Sequence, residues 1–128
     1  MQIHQSAEDY LETILMLNQR MGRVRSIDVV NELGFTKASV SIAMKKLREN
    51  GYIAVDGEGN LTLLEPGREI AERIYSRHRL LTHFFVQLGV DEEVAAEDAC
   101  KAEHILSEQT LEKIREYALL HDAQDSVK

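Results

Sequence analysis

Apolar residues recur at helical spacing along most of this chain, and the pattern predicts a mostly α fold. Residues that cap helix N-termini precede several of the periodic stretches: Ser6, Ser26, Thr36, Asp91 and Ser107. The fourth stretch begins at Glu65-Pro66-Gly67, where a proline is tolerated in the first turn of a helix. The predicted helices cover, in order, residues 7–21, 27–33, 37–49, 65–88, 92–106 and 108–121.

A β-hairpin is predicted between the third and fourth helices. Two short apolar runs, residues 52–55 and 61–64, flank the glycine-rich acidic turn at residues 56–60. Val24-Arg25 predicts a further short extended piece. Two helices joined by a tight turn and followed by a hairpin form a winged helix-turn-helix, whose second helix of the pair enters the major groove of DNA. We therefore expect a winged helix-turn-helix DNA-binding domain over residues 1–64 and an all-helical domain over residues 65–128.

The charge is divided unevenly between these halves. The net charge of the chain is −7, of which residues 1–64 carry −1 and residues 65–128 carry −6. Within the first half, Lys37, Lys45, Lys46 and Arg48 cluster on the third predicted helix. The distribution of charge matters more than its sum for nucleic-acid binding. A basic face on the first half and an acidic second half indicate two tasks, DNA binding and cation binding.

The expected compartment is the cytoplasm. No apolar stretch approaches the ~20 residues that span a bilayer. Residues 1–5 lack the basic-then-apolar pattern of a signal peptide. The single cysteine, Cys100, excludes an internal disulfide, and a cytosolic thiol stays reduced and available for metal or redox chemistry.

The third predicted helix carries the candidate DNA contacts. Its N-terminus attracts phosphate, its short hydroxyls suit phosphates and bases, and its lysines can neutralise phosphates. The alternative is an ordinary amphipathic helix with a solvated charged face, but the preceding helix, the turn and the hairpin favour DNA. Asp56 and Glu58 would repel phosphate, so we expect little from the hairpin tip. The candidate DNA-binding residues are Thr36, Lys37, Ser39, Ser41, Lys45 and Lys46.

A metal-binding pattern lies on the fifth predicted helix. Cys100, Glu103 and His104 follow i, i+3, i+4 spacing, which places a thiolate, a carboxylate and an imidazole on one helix face. These ligand types together suit first-row transition metals. The alternative is a buried cysteine beside a surface Glu–His pair.

Two other helices carry side chains that one cation would explain. His78 lies on an apolar helix row, where a core histidine with a hydrogen-bond partner is the alternative. Asp9 and Glu12 are three residues apart on the first helix, where capping by Asp9 and solvation of Glu12 are the alternatives. The candidate metal ligands are Asp9, Glu12, His78, Cys100, Glu103 and His104.

The chain resembles the metal-dependent repressors of the diphtheria-toxin-repressor and manganese-transport-regulator type. The resemblance covers nearly the whole chain, in order. The stretches that carry it are Ala7–Glu12, Lys37–Ser41, Arg77–Leu81 and, the most specific, Cys100–Ser107.

The resemblance implies a ligand set that mixes two branches of the family. The manganese branch implies Asp9, Glu12, His78, Glu103 and His104 as ligands, and usually has a glutamate at the position of Cys100. The iron branch has the cysteine but usually a methionine at the position of Asp9. We therefore expect Mn(II) or Fe(II), with Zn(II) or Co(II) binding possible in vitro.

The resemblance implies further features of the assembly. Thr82 and Ala96 stand where two ligands of an ancillary site are expected, so that second site is not implied. The chain ends at Lys128, and we expect it to lack the SH3-like domain of many members. The family implies a homodimer through the helices that follow the hairpin. A two-fold dimer would match a palindromic operator in double-stranded DNA.

The function expected from the sequence is a metal-activated transcriptional repressor of metal-uptake genes. In this account metal binding ties the first helix to the fourth and fifth and sets the spacing of the two recognition helices. One alternative is a winged-helix regulator that responds to a small organic ligand or to none, and another is a winged-helix adaptor that binds protein. A metalloenzyme is disfavoured, because the sequence shows neither a nucleophile–base pair nor a Gly-rich phosphate loop.

Overall fold

The elements follow the predicted order of three helices, a hairpin and three helices. The computed structural model describes the backbone of residues 5–127 and the side chains of residues 6–122. Residues 1–4, on which the expectation of no signal peptide partly rests, lie outside the described residues. The elements are α1 Gln5–Met21, α2 Ser26–Leu33, α3 Lys37–Glu49, β1 Ile53–Val55, β2 Leu61–Leu63, α4 Glu65–Gln87, α5 Glu92–Ala102 and α6 Glu108–Val127. The predicted mostly α architecture with a small wing is confirmed.

The chain divides into two compact units, the first ending at Arg73 and the second beginning at Ile74. In the first unit α1 packs against α2, α3 and β2, and α3 packs against α2 and β1. The apolar stripe of α3 at i, i+4, i+7 is buried as the sequence predicts. The core side chains of this unit include Leu11, Ile14, Leu17, Val24, Val29, Val40, Met44, Leu47, Ile53, Leu61 and Leu63.

The hairpin is antiparallel, with Ile53 opposite Leu63 and Val55 opposite Leu61. The chain before α2 joins it: Leu61 N donates a hydrogen bond to Val24 O at 2.7 Å, and Arg25 forms a bridge with Asn60. The predicted extended piece at Val24-Arg25 is therefore confirmed. It gives the wing part of a third strand.

Two of the predicted caps are wrong. Ser6 already lies inside α1, which includes Gln5, so its backbone is helical rather than in the extended conformation of an N-cap. The N-cap of α2 is Arg25, not Ser26, because pairing with the hairpin holds Arg25 extended (φ −120°, ψ 166°). Asp28 completes this cap by accepting a hydrogen bond from Arg25 N at 2.9 Å.

The second unit has a small apolar core of its own. Leu81 of α4, Ala99 of α5 and Leu111 of α6 are buried at its centre. The partly buried side chains packed against them are Leu80, Phe85, Ala102, Leu106 and Ile114. Among the described residues, no helix is both long and apolar enough to cross a membrane.

Two helix ends in the second unit differ from the sequence prediction. α5 ends at Ala102 rather than near Leu106, because a tight turn closes it, with Ile105 N donating to Ala102 O at 3.1 Å. α6 continues to Val127 rather than ending near His121. Gln87 Nε2 of α4 donates to Asp122 Oδ1 at 2.8 Å, which holds the later turns of α6 in place.

Candidate metal centre and DNA-binding surface

The carboxylate of Glu103 is the centre of a buried polar cluster in the second unit. Glu103 follows α5 and is fully buried. Its Oε2 lies 3.0 Å from Nδ1 of His78 on α4. Its Oε1 lies 3.5 Å from Nε2 of the neighbouring His104. The structure thus brings together three of the sequence-predicted ligands, from two different parts of the second unit.

This cluster has the chemistry of a cation site. The side chains of Glu103 and His104 are 0% and 2% exposed, and that of His78 is 21% exposed. Oε1 of Glu103 is buried, and no residue in the described part of the chain makes a hydrogen bond to it. A buried carboxylate needs a compensating charge or hydrogen bonds. One carboxylate and two imidazoles fit a divalent transition metal, which would supply that charge.

Cys100 lies on the last turn of α5, and its residue is exposed. The predicted helix through Glu103 and His104 is wrong in its end, because α5 ends at Ala102, but ligand atoms of Cys100 and Glu103 still lie within 4.8 Å of each other. Glu103 keeps helical dihedral angles (φ −60°, ψ −22°) and bonds from its N–H to Ala99 O at 2.9 Å. It therefore follows the course of the helix, while His104 belongs to the turn.

Arg77, which the sequence argument did not single out, holds this turn. Its Nη1 donates to the main-chain oxygen of Glu103 at 3.2 Å, and its Nη2 donates to the carboxylate of Glu108 in the first turn of α6. Helix C-terminal carbonyls need such donors. The guanidinium thereby fixes the backbone that carries Glu103 and His104. The only indication of this role in the sequence is that Arg77 directly precedes His78.

We expect Arg77→Ala to weaken metal binding about tenfold, because residues that orient metal ligands typically contribute 10- to 100-fold. Mn(II) titration of the folded protein, followed by electron paramagnetic resonance, measures the change. Arg79→Ala is the matched control, since Arg79 is exposed and lies over the Tyr75 ring at 5.8 Å. Equal affinities for the parent and Arg77→Ala would show that the turn holds its shape without Arg77.

The two remaining sequence-predicted ligands lie on α1 in the first unit. Glu12 is buried, with 5% of its surface exposed, which contradicts the alternative that it is simply solvated. Asp9 is half-buried. Burial, with a contribution from the charge of Asp9, raises the pKa of Tyr10 above its ordinary value. The participation of Asp9 and Glu12 in a metal site stays a prediction.

The predicted DNA contacts are all exposed on or beside α3. Thr36 caps the helix by accepting a hydrogen bond from Ser39 N at 3.1 Å, as the sequence predicts. The exposed side chains are those of Thr36, Lys37, Ser39, Ser41, Lys45 and Lys46. Val40, Met44 and Leu47 form the buried stripe of α3. The solvent-facing side of the helix therefore carries hydroxyls and cations.

We expect Lys45→Ala to weaken binding to all DNA sequences and to lower the slope of log affinity against log salt by about one unit for each bound subunit. The physical reason is the loss of one phosphate contact and its released counterion. Fluorescence anisotropy over a salt series measures the slope. Lys113→Ala, on the exposed face of α6, is the control and should leave the slope unchanged. If Lys45→Ala kept the slope of the parent protein, Lys45 would not be one of the phosphate contacts.

The hairpin tip is organised by its own acid. Asp56 Oδ1 accepts from the backbone N–H groups of Asn60 and Glu58 at 2.9 Å each. Hydrogen bonds from the Asn60 backbone and then its side chain are the largest causes that hold the pKa of the Asp56 carboxyl below its ordinary value. These bonds stabilise the turn above the unfolded pKa and are lost as pH falls through the folded one. Asp56 therefore serves the turn.

Two arginines that were not predicted as DNA contacts line a cleft beside this tip. The cleft is bordered by Arg23, Arg25, Asp28, Glu58 and Asn60. Arg23 lies 3.8 Å from Glu58, in a pair whose side chains are both largely exposed. Cations next to the wing offset its acidic tip. In the sequence, the only indication that these arginines lie beside the wing is the predicted extended piece at residues 24–25.

The winged helix with an exposed basic α3, together with the buried carboxylate–imidazole cluster, defines a metal-dependent DNA-binding regulator. Two family models match the chain. "Iron dependent repressor, N-terminal DNA binding domain" matches residues 2–61. "Iron dependent repressor, metal binding and dimerisation domain" matches residues 64–120.

Full-length relatives agree with the family models. An uncharacterized HTH-type transcriptional regulator of Methanocaldococcus jannaschii is 36% identical over 87% of this chain and 90% of its own length. The HTH-type transcriptional regulator MntR of Bacillus subtilis is 32% identical over 96% of this chain and 87% of its own length. The chain belongs to the DtxR/MntR family of metal-dependent repressors. Its members are transcriptional regulators and not enzymes.

Solved structures show the same fold. A manganese-dependent transcriptional repressor in complex with manganese superposes with a TM-score of 0.80 at 28% identity, over 88% of this chain. ScaR with bound Zn²⁺ superposes with a TM-score of 0.71 at 25% identity, over 87% of this chain. This chain spans about half the length of each, 52% in both cases. The class of function is thus a divalent-metal-dependent, DNA-binding transcriptional repressor.

Proposed function

We propose that this protein is activated by Mn(II) or Fe(II) and represses genes for the uptake of these metals. The observation that carries the proposal is the fully buried Glu103 carboxylate, which lies within 3.5 Å of two imidazoles. One of its oxygens makes no hydrogen bond to the described residues. A divalent cation bound there would supply the charge that the buried carboxylate needs. A cytoplasmic location stays a prediction.

The full ligand set draws on both units of the chain. The family resemblance supports the carboxylates of Asp9 and Glu12 as partners of the cluster in the second unit. The thiol of Cys100 comes one helical turn before Glu103 and adds a soft ligand. The proposed metal ligands are Asp9, Glu12, His78, Cys100, Glu103 and His104.

Metal binding activates the repressor if the ion binds the DNA-competent state more tightly than the other state. An ion held by ligands from α1, α4 and the end of α5 would bind one arrangement of the DNA-binding unit more tightly than others. That arrangement would be the DNA-competent state. The ion itself would supply positive charge. The residues supply the donors, the burial of Glu103 and, through Arg77, the position of the turn.

The second unit supports a homodimer. Large apolar side chains on α4, α5 and α6 and in the turns after α4 and α5 are exposed, and surface of this kind marks protein interfaces. Within this surface Tyr117 packs edge-on against Phe84, with ring centroids 5.9 Å apart. We propose that two copies associate here and bind a palindromic operator. The exposed side chains are Val86, Leu88, Val94, Ile105, Tyr117, Leu119 and Leu120.

The choice of metal is tested with duplexes selected from a random-sequence library. We expect Mn(II) and Fe(II) both to activate binding, since carboxylates favour Mn(II) and the thiolate keeps Fe(II) competitive. Cys100→Glu should shift the preference towards Mn(II). DNA affinity is measured with a chelator and with Mn(II), Fe(II), Co(II) or Zn(II), at equal saturation of the site.

Two results would contradict this account at different levels. A Cys100→Glu variant with the parental ranking of metals would show that Cys100 does not determine the choice. DNA binding by the parent that ignored all four metals would contradict metal activation itself. Absorption of the Co(II) form gives an independent measure, because a thiolate ligand adds a charge-transfer band that Cys100→Ser should lack.

A further inference from the structure

Ile42 is an exposed aliphatic side chain on the proposed DNA-reading helix. It lies on α3 and is 59% exposed. Of the large apolar side chains described in the first unit, it is the most exposed. It lies on the side of α3 opposite the buried stripe of Val40, Met44 and Leu47. The core of the unit therefore makes no use of it.

The neighbours of Ile42 on the helix surface are small or basic. At i−4 and i−3 lie Ala38 and Ser39, and at i+3 and i+4 lie Lys45 and Lys46, all exposed. Small side chains on the N-terminal side allow a close approach of another surface. The lysines on the C-terminal side attract phosphate. Ile42 is thus the apolar centre of a surface whose other chemistry fits a DNA groove.

The major groove presents one apolar group to such a surface, the C5-methyl group of thymine. Lysine and serine can reach phosphates and polar base edges, whereas an isoleucine can only exclude water from another apolar group. A single exposed isoleucine is common on protein surfaces and by itself indicates nothing. Ile42, however, lies among side chains that are proposed to contact phosphates and bases. This position makes a thymine methyl group its expected partner.

We propose that Ile42 determines sequence specificity by packing against the methyl group of a thymine in each operator half-site. This proposal rests on the proposed function, in which α3 enters the major groove. It assigns base recognition to an apolar contact, while the hydroxyls and lysines of α3 position the helix on the backbone.

The experiment uses the full-length protein with Mn(II) and a duplex selected from a random-sequence library. Each thymine of the selected duplex is replaced in turn by deoxyuridine, which lacks only the methyl group. At one thymine per half-site, this replacement should lower the affinity of the parent protein for the duplex about three- to fivefold, the value of one buried methyl group. Ile42→Ala should abolish that loss, and Ile42→Val should keep most of it.

Ile27→Ala is the matched control, because Ile27 is also exposed, at 43%, but lies on α2. It should show the parental deoxyuridine profile. Metal-dependent binding by the parent, with the same profile for parent and Ile42→Ala, would overturn this proposal and leave the proposed function standing. Failure of the parent to select any duplex with any of the four metals would overturn both.

Discussion

His78→Ala should abolish the response of DNA binding to metal. The imidazole lies 3.0 Å from Glu103 Oε2, so its loss removes one proposed ligand and the direct neighbour of another. Groups that only orient metal ligands contribute 10- to 100-fold, so we expect the loss of a ligand to exceed about 100-fold in metal affinity. Metal titrations followed by DNA anisotropy and by electron paramagnetic resonance measure both effects.

Stability measurements separate the role of His78 as a ligand from a role in packing. If His78 is only a core histidine, His78→Ala should lower the free energy of unfolding without metal, and folded molecules should keep their metal affinity. His83→Ala is the control, because His83 lies on the same helix, bonded to Asp122 at 2.9 Å. It should retain the metal response. If His83→Ala also lost the metal response, the effect would come from disturbing α4 as a whole and not from removing one ligand.

Gly67→Ala should destabilise the first unit by about 3 kcal/mol, the upper range for overpacking. Gly67 lies in the first turn of α4, where a Cβ would come within 2.2 Å of the main-chain oxygen of Tyr52. That oxygen accepts a hydrogen bond from Leu64 N at 3.0 Å, which closes the hairpin. Relief of the clash would move backbone rather than a flexible side chain. Denaturant unfolding measures the loss.

The matched substitution is Gly57→Ala in the hairpin turn. A Cβ there would meet nothing within 4 Å, and Gly57 is not among the glycines with positive φ. We expect a change in the free energy of unfolding of at most about 0.5 kcal/mol. Equal effects at both glycines would mean that α4 can shift away from Tyr52 at little cost.

Local chemistry explains what the sequence predicts well. The order of elements follows from the spacing of apolar residues, and two helix starts follow from hydroxyl caps. Thr36 accepts from Ser39 N at 3.1 Å, and Ser107 Oγ accepts from Thr110 N at 3.1 Å. The positive φ of 72° at Gly34 ends α2 where the sequence predicts.

Two of the wrong predictions depend on contacts between residues far apart in the chain. α2 is capped by Arg25 because Arg25 pairs with Asn60 of the hairpin. α6 continues past His121 because Asp122 accepts hydrogen bonds from α4. No helical periodicity within either segment carries this information.

The same reason limits what the sequence predicts of the metal cluster. Helical spacing brought out Cys100, Glu103 and His104 as candidate ligands, and the position of His78 on an apolar helix row brought out His78. Neither pattern revealed that Glu103 and His104 lie beyond the end of α5, nor that Arg77 holds their turn through the carbonyl of Glu103 at 3.2 Å. Ligand types can be read from a local pattern, whereas the scaffold that orients them is made by tertiary contacts.

Metal and DNA should stabilise the same state of the protein, which thermodynamic linkage between their binding reports. The dissociation constant of Mn(II) is measured with and without a saturating selected duplex, and that of the duplex with and without Mn(II). We expect DNA to tighten Mn(II) binding by the same factor as Mn(II) tightens DNA binding, and this factor to be at least about fivefold. A factor of one in both directions, with both ligands bound, would contradict it.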